Sequence, residues 1–387
     1  MTLHRGYDLP SSKRVTGKYP IISSSGISGY HNEYKVDGPN VVTGRYGTIG
    51  EVYYHEGPCW PLNTALYVSD FMGNSPRYAA YLLELMLKSM YSDGTDKSTV
   101  PGVDRNVIHQ LKAPFVEGYE KQERLINPIK LLDAKIANNK KLITELESTA
   151  QLIYDFWFTQ FDFPDENGKP YRTSGGKMVL SDVLKREIPV GWEIGAFKDV
   201  ATLISGATPS TSTEDNYQEE GIAWITPDDL SRTSEMMFID HGKRDISALG
   251  LQSCSARLLP AGTLILSSRA PIGYTALALN ECCTNQGCKS FVPNKGYGSY
   301  FIYHLVNRLM PLIKAQGVGT TFKEVSKETL EQIIIVLPPK EVAKNFEKAV
   351  EKFCAGRKTL ESENRELLAL RNWLLPMLMN GQAQIGD

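Results

Sequence analysis

The side chains able to make or break bonds are scattered along this sequence and do not gather. The six histidines, His4, His31, His55, His109, His241 and His304, lie far apart, and none stands with a Cys or Ser in a spacing that suits catalysis. The six cysteines, Cys59, Cys254, Cys282, Cys283, Cys288 and Cys354, form no C-x-x-C pair and do not alternate with His, so buried reduced thiols are expected and a zinc site is not. The adjacent acids Asp228 and Asp229 have no nucleophile or metal ligand set against them, and a turn or helix cap is their expected use. There is no G-x-x-x-x-G-K-[ST] loop, G-x-S-x-G elbow, H-E-x-x-H pair or N/D-P-P-[FY] motif, and SSGISGYH (Ser24–His31) lacks the strand and helix that a G-x-G-x-x-G loop requires. The sequence reads as non-catalytic. It carries donor-rich, glycine-spaced loops beside β-prone runs instead. In the first half these hold Ser24, Ser25, Tyr30, His31, Arg45, Tyr46 and Lys97; in the second, Arg269, Asn285, Gln286, Lys289, Thr320, Thr321 and Lys323. Guanidinium, amide and hydroxyl groups of this kind recognise a partner through hydrogen bonds and leave its bonds intact.

These loops recur because the chain is duplicated. TLHRGYDLP (Thr2–Pro10) resembles TLISGATP (Thr202–Pro209), and VVTGRYGTIG (Val41–Gly50) resembles LILSSRAPIG (Leu264–Gly273), each with an apolar pair, small polar residues, an arginine and a closing Ile-Gly. PLNTALYV (Pro61–Val68) lies opposite NQGCKSFV (Asn285–Val292), and GTDKSTVPGV (Gly94–Val103) opposite GVGTTFKEV (Gly317–Val325). Each half then ends in a heptad seam. The first follows Leu125, Ile129, Leu132, Ile136, Asn139, Ile143, Leu146, Ala150, Ile153 and Trp157; the second follows Phe346, Val350, Phe353, Arg357, Leu360, Asn364, Leu367, Arg371, Leu374 and Leu378. Helices of that span are roughly 50–60 Å long at ~1.5 Å per residue, and two of them in one chain pack most simply as an antiparallel pair. Asn139 and Asn364 either fix the register of that pair or sit at its margin facing water. Pro128 marks a late start or a kink.

The expected fold is mixed α/β (α+β). Two similar domains, each with a curved, mainly antiparallel sheet, are joined by two long antiparallel coiled-coil helices as a pseudo-two-fold repeat. The boundaries read as a first domain over 1–117, a long helix over 118–160, a Gly/Pro-rich linker over 161–187, a second domain over 188–339, a second long helix over 340–381 and a tail over 382–387. A length of 387 residues suits two cores, and 42% hydrophobic with 22% charged residues excludes a disordered chain. No apolar run reaches the ~18–20 residues that span a bilayer, and MTLHRGYDLP has no apolar stretch behind a basic start, so a cytoplasmic place is expected. The net charge of −2 is unusual for a chain that would hold a polyanion by itself.

STAQLIYDFWFTQFDFPDENGKPYRTSGGKMV (Ser148–Val179), leading into IPVGWEIGAFKDV (Ile188–Val200), resembles the central region of type I restriction–modification specificity subunits, and LRNWLLPMLMNGQ (Leu370–Gln382) resembles their carboxy-terminal region. The opening RGYDLPSSKRVTGKYPIISSSGISGYH, with VVTGRYGTIG and WPLNTALYV, is similar to a first target-recognition domain. WITPDDL, SSRAPIG and TNQGCKSFV are similar to a second. One departure stands out: the segment Phe197–Val200 before the second domain has no equivalent before Thr2, which leaves the packing of the first domain's edge open.

The resemblance implies a non-catalytic subunit whose two domains each read half of a split double-stranded DNA site. It implies helices that set the gap between halves and dock two modification subunits, with restriction subunits joining the full complex. S-adenosylmethionine and ATP with Mg²⁺ would belong to those partners, which also accounts for the absent basic excess. The loop residues named above then become candidates for reading base edges. Any single Arg or Lys among them could equally be solvated or touch only phosphate, and Tyr30 and Tyr46 could be core or hinge aromatics. Half-site centres are expected about 10 base pairs apart. The competing reading is a two-domain protein-binding scaffold to which DNA is irrelevant.

Overall fold

The computed structural model describes residues 1–46, 50–92, 102–319 and 323–383. Its first half runs β1 (Thr2–Arg5), β2 (Tyr19–Ser23), β3 (Gly26–His31), β4 (Asn40–Gly44), β5 (Val52–His55), β6 (Trp60–Pro61) and β7 (Ala65–Asp70). Helices α1 (Pro76–Ser92), α2 (Arg105–Gln110) and the long α3 (Tyr119–Tyr154) follow. Then come β8 (Met178–Ser181), β9 (Arg186–Pro189), β10 (Glu193–Ala196), α4 (Phe197–Val200), β11 (Thr202–Ser205), β12 (Tyr217–Gln218) and β13 (Ile222–Ile225). The second half continues through α5 (Pro227–Arg232), β14 (Phe238–Ile239), β15 (Arg244–Ile246), α6 (Ala248–Gln252), β16 (Leu264–Ser267) and β17 (Thr275–Ala278). It closes with β18 (Cys282–Thr284), β19 (Cys288–Val292), α7 (Ser299–Arg308), α8 (Met310–Ala315), α9 (Lys327–Glu331), β20 (Ile334–Leu337) and the long α10 (Lys340–Met379). Among the described residues no helix is long and apolar enough to cross a membrane.

The chain forms two compact units, Met1–Ala137 with Arg365–Asp387, and Asn138–Asn364. Each unit therefore takes a stretch of both long helices along with its own domain. The first unit has one sheet in the order β1-β7-β4-β5 and another in the order β3-β2-β6. The second unit repeats this as β11-β19-β16-β17, extended by β14, and as β15-β13-β18, extended by β12. β2 with β6 and β13 with β18 are matching parallel pairs, while the added strand β14 makes a further parallel pair with β17 in the second unit alone. The expected single curved sheet is thus two sheets in each half, to which the second unit adds the two-stranded pairs β8-β9 and β10-β20. The central strands are apolar runs because both of their faces are covered: every residue of β4, β16 and β19 is buried.

The strand pairings fix the repeat at the offset of VVTGRYGTIG on LILSSRAPIG and move the match of PLNTALYV to NQGCKSFV by one residue. Arg45 N donates to Thr64 O at 2.9 Å just as Ser268 N donates to Gly287 O at 2.8 Å. Ser268 is therefore the counterpart of Arg45, and Arg269 that of Tyr46. By the same register Val42 faces Tyr67 and Ile265 faces Ser290, so Lys289 occupies the place of Leu66. Hydrophobic identity alone could not fix this, since a one-residue slip still leaves apolar residues opposite one another in fully buried strands.

The long helices pair within each unit and run in opposite directions there. In the first unit α1 is buried on two sides: Ala80, Leu83 and Leu87 lie against the sheet, while Tyr78, Tyr81 and Leu82 join Ile126, Ile129, Leu375, Leu378 and Met379 of the helices. In the second, Tyr154 and Phe158 pack edge-on against Phe346 with ring centroids 5.7 and 5.2 Å apart. The middle of the seam is polar. Asn139 and Asn364 are both buried, and the Asn139 amide donates to Asn364 Oδ1 at 3.0 Å and to Glu363 at 2.7 Å, which selects the register role over the solvent-facing one. The second seam is shifted from the sequence reading. Cys354, Glu361 and Leu375 are buried, whereas Phe353, Leu360 and Leu374 are only partly so. On the first helix Leu132, Leu146 and Ile153 are likewise half-buried beside buried Ile136 and Ile143, while Leu367 on the second is half-buried. Pro128 lies inside α3, which starts well before it at Tyr119.

Two further expectations change. The segment 161–187 is no loose linker: Phe161, Phe163, Ile188 and Trp192 enter the second unit's core, Tyr171 stacks on Phe163 at 4.7 Å, and Asp162 accepts the Thr173 amide at 2.7 Å. Gly/Pro/Asn turn chemistry concealed aromatics placed between the turns. The Phe197–Val200 segment is α4, whose Phe197 and Val200 are fully buried, and the strand before it, β10, pairs with β20.

Candidate nucleic-acid interface

The polar loops become a site where the sheets end. In the first unit β4 runs out at Gly44, and the chain is held there by backbone bonds on both sides, Arg45 N to Thr64 O at 2.9 Å and Val103 N to Arg45 O at 2.8 Å. Tyr46 bridges Gly102, where a Cβ would fall 2.9 Å from the Tyr46 ring, so only glycine allows that approach. The Arg45 guanidinium lies over the Tyr46 ring at 4.7 Å from its centroid. Asp104 caps α2 by accepting the Asn106 amide at 2.9 Å, which aims the first turn of that helix at the same place. The antiparallel register of β1 on β7 sets Arg5 beside Leu66. Arg5, Arg45, Tyr46, Arg105 and Asn106, with the capping Asp104, thus line one open cleft of about 490 Å³.

Three guanidinium groups around one cleft can fork onto phosphate oxygens or onto the O6/N7 edge of guanine. Arg5, Arg105 and Asn106 were not among the sequence candidates. Arg5 sits in a stretch noted only as a repeat, and nothing but strand pairing brings it to Arg45. The hairpin candidates fall elsewhere. Ser24 and Ser25 make the two-residue turn between β2 and β3, with Ser23 Oγ donating to Gly26 O at 3.0 Å and Gly26 at φ +95°. Tyr30 is exposed on β3. None of these lines the cleft. His31 is buried, its Nδ1 lies 3.0–3.1 Å from the backbone of Val15, and its ring sits edge-on to Trp60 at 5.2 Å. It therefore leaves the set of outward-facing candidates. Nothing in the polar setting of Tyr30 and Asn32 marks the imidazole between them as a core residue.

In the second unit Ser268 is held as Arg45 is, with Val325 N donating to Ser268 O at 3.0 Å, and Arg269 bridges Glu324. The Asn285 side chain accepts the Gly287 amide at 2.9 Å and shapes the turn into β19; Gln286 is exposed and accepts from Thr208. Lys289 points inward, nearly fully buried, with its ammonium 3.2 Å from Gln286 O and 3.4 Å from Glu324 Oε1. Gly287 permits Arg269 to lie close, since a Cβ there would be 3.2 Å from the arginine Nε. Lys323 is exposed next to this group; Lys97, Thr320 and Thr321 lie outside the described residues. A larger open cleft of about 690 Å³ flanks β12 and β15, but Glu219, Glu220 and Asp245 share it with Lys243 and Arg244, a mixture that does not favour a polyanion.

The residue types suited to bond chemistry are occupied otherwise. Asp229 closes a capping box on α5, accepting the Thr226 hydroxyl at 2.6 Å, and takes the Lys243 amide at 2.8 Å as well. Burial pushes the thiols of Cys282 and Cys354 up to about 12, far from a reactive thiolate. Burial pulls His304 down to about 4, so it stays neutral, and its Nδ1 lies 3.0 Å from Gln151 Oε1.

Known proteins resemble this chain in sequence and in fold. Residues 3–148 and 189–369 match the family described as "Type I restriction modification DNA specificity domain". The type I restriction enzyme MjaIX specificity subunit of Methanocaldococcus jannaschii is 34% identical over 196 residues, which is 49% of this chain and 45% of that protein. The HindI specificity subunit of Haemophilus influenzae is 25% identical over 313 residues, 68% of this chain and 67% of that one. The chain thus spans under half the length of the first relative and about two thirds of the second. The crystal structure of a type I restriction–modification S subunit from M. genitalium superposes with a TM-score of 0.58 at 14% identity, covering 99% of this chain and 94% of that one, a likeness of fold. With the family match running through both domains and most of both long helices, this chain belongs to the type I restriction–modification DNA specificity family.

Proposed function

We propose that each unit reads one half of a bipartite, asymmetric DNA site, and that α3 and α10 set the separation of the half-sites and seat two modification subunits. The chain itself catalyses nothing. The modification subunits bring S-adenosylmethionine, restriction subunits bring ATP and Mg²⁺, and the assembly works in the cytoplasm. The observation that carries this reading is the repeated placement of forked donors: Arg45 leaves the end of β4, and Arg269, one position further on, leaves the same end of the equivalent strand β16, where Arg45 and Ser268 are held by the same pair of backbone bonds. Two copies of one module suit a target in two parts. The seating of partners is supported by large apolar side chains on the outer faces of the long helices, Leu152 at 69% exposure and Trp373 at 57%. Because such partners would share the phosphate contacts, a net charge of −2 is no obstacle.

The decisive experiment exchanges Met1–Pro114 for the first domain of another family member and maps modified adenines in a host that also expresses the modification subunit. One half-site should change and the other remain. A swap that alters both halves, or neither, refutes independent reading.

A further inference from the structure

At the reading end of the second unit, two cations share one carboxylate. Glu324 Oε1 lies 3.4 Å from the Lys289 ammonium, and Glu324 Oε2 lies 3.8 Å from Arg269 Nη1. We propose that Glu324 is a specificity-determining residue: it neutralises Arg269 and Lys289 until a partner with a matching hydrogen-bonding edge displaces it, so that this unit does not grip bare phosphate. The inference rests on the DNA-reading function proposed above and assigns a role within it.

Three observations carry it. Glu324 bridges Arg269 as Gly102 bridges Tyr46, so the fold does not require an acid at this position. In the first unit the equivalent place is a glycine surrounded by Arg5, Arg45 and Arg105. A carboxylate at this register position is peculiar to the second unit; the acid beside the first cleft, Asp104, is engaged instead by the Asn106 amide as a helix cap. Next, Lys289 occupies the register position of Leu66 and is nearly fully buried, where an ammonium needs a counter-charge, and its other polar neighbour is the neutral carbonyl of Gln286 at 3.2 Å. Finally, both ion pairs are long, and the side chains of Arg269 and Glu324 are 36% and 40% exposed. The half-exposed Arg269 pair is weakly held and exchanges with an incoming polar group at little cost, while buried Lys289 exchanges only for a group that replaces its counter-charge. The backbone bonds of Glu324 with Val318, at 2.9 and 3.0 Å, do not involve its carboxylate, so changing the side chain leaves the loop's pairing in place.

The test is Glu324→Gln in the chain assembled with its modification subunits, with binding measured against a mixed-sequence duplex and against a duplex carrying the mapped site over a range of salt. Mixed-sequence binding should tighten by about tenfold at low salt, and the slope of log K against log salt should steepen by roughly one to two, as for one or two added phosphate contacts. Preference for the mapped site should fall, with relaxation confined to the second half-site. The double variant Glu324→Gln/Arg269→Gln should restore most of the original salt slope. Unchanged mixed-sequence binding overturns the proposal. So does loss of site binding with mixed-sequence binding unaltered, because Glu324 would then touch a base itself. If the unsubstituted assembly shows no preference for its mapped site, the DNA-reading function fails and the role of Glu324 falls with it, a result distinct from the other two.

Discussion

Arg45 and Arg269 illustrate how a residue's surroundings divide the work of recognition. Both leave the end of a central strand, yet one lies on an aromatic ring among other arginines and the other faces a carboxylate. Arg45→Ala should weaken binding to the first half-site by ~1–3 kcal/mol if its contact is bidentate to a base, and binding to duplexes altered in that half should be unaffected. Equal weakening on every sequence would reassign it to phosphate. His31→Ala should act on stability instead, by about 1–3 kcal/mol in thermal or denaturant unfolding, with the mapped site unchanged, because the ring is sealed between Val15 and Trp60. Glu347 gives a pH signature. Burial raises its carboxyl to about 7 even though it accepts the Phe301 amide at 2.6 Å. A carboxyl raised on folding binds protons more tightly in the folded state, so its contribution to stability declines as pH climbs from about 4.5 to about 7. Glu347→Gln should therefore stabilise the protein more at pH 8 than at pH 5, by on the order of 1–2 kcal/mol allowing for partial exposure, and equal shifts at both pH values would contradict this.

The long helices show the same logic on a larger scale. Three polar residues interrupted the second seam: Asn364 pairs with Asn139, and the two arginines are clamps. Arg357 is buried and meets Glu361 at 2.6 Å, Glu147 of α3 at 3.0 Å and Glu235 O of the neighbouring domain at 3.2 Å. Arg371 does the equivalent in the first unit, reaching Asp133 of α3 and Glu84 of α1, each at 2.7 Å. Each clamp joins both helices to the adjacent domain. Burial pushes the Glu84 carboxyl upward, but the bonds from Arg371 and Lys88 prevail and leave it below its usual value. The stability this adds is present above the ordinary carboxylate range and is lost as pH falls through the lowered value. Arg357→Ala should cost about 3–5 kcal/mol, since it strands Glu361 against the Met237 and Phe238 amides with no charge partner. Arg357→Met should cost less, and a loss below about 1 kcal/mol for the alanine variant in denaturant titration would remove the clamp from the account. The heptad steps were legible in sequence because apolar spacing shows along a helix, but the exact stripe was not. A helix docked on a partner on one side and a domain on the other buries a face wider than one seam.

For the whole molecule the proposed function makes the helices a ruler. Inserting one heptad at equivalent places in α3 and α10 keeps every side chain on its face and adds about 10 Å at ~1.5 Å per residue. The spacer between half-sites should lengthen while both half-sites stay the same, and methylation mapping that returns the original spacer would refute the ruler. The internal repeat was already visible in TLHRGYDLP against TLISGATP and in the two arginine-bearing turns. The identities were too sparse to fix their alignment to the residue, and backbone pairing supplied it.

The order of motifs determined the duplicated architecture, the long helices and the family, because periodicity and turn chemistry act locally and leave a local trace. Which polar residues share a cleft was decided only in three dimensions. Arg5, Arg45 and Arg105 are separated along the chain by two sheets' worth of strands, and Lys289 and Glu324 by two helices, so their proximity is a property of strand register and of a capped helix start, neither of which is written at any one position.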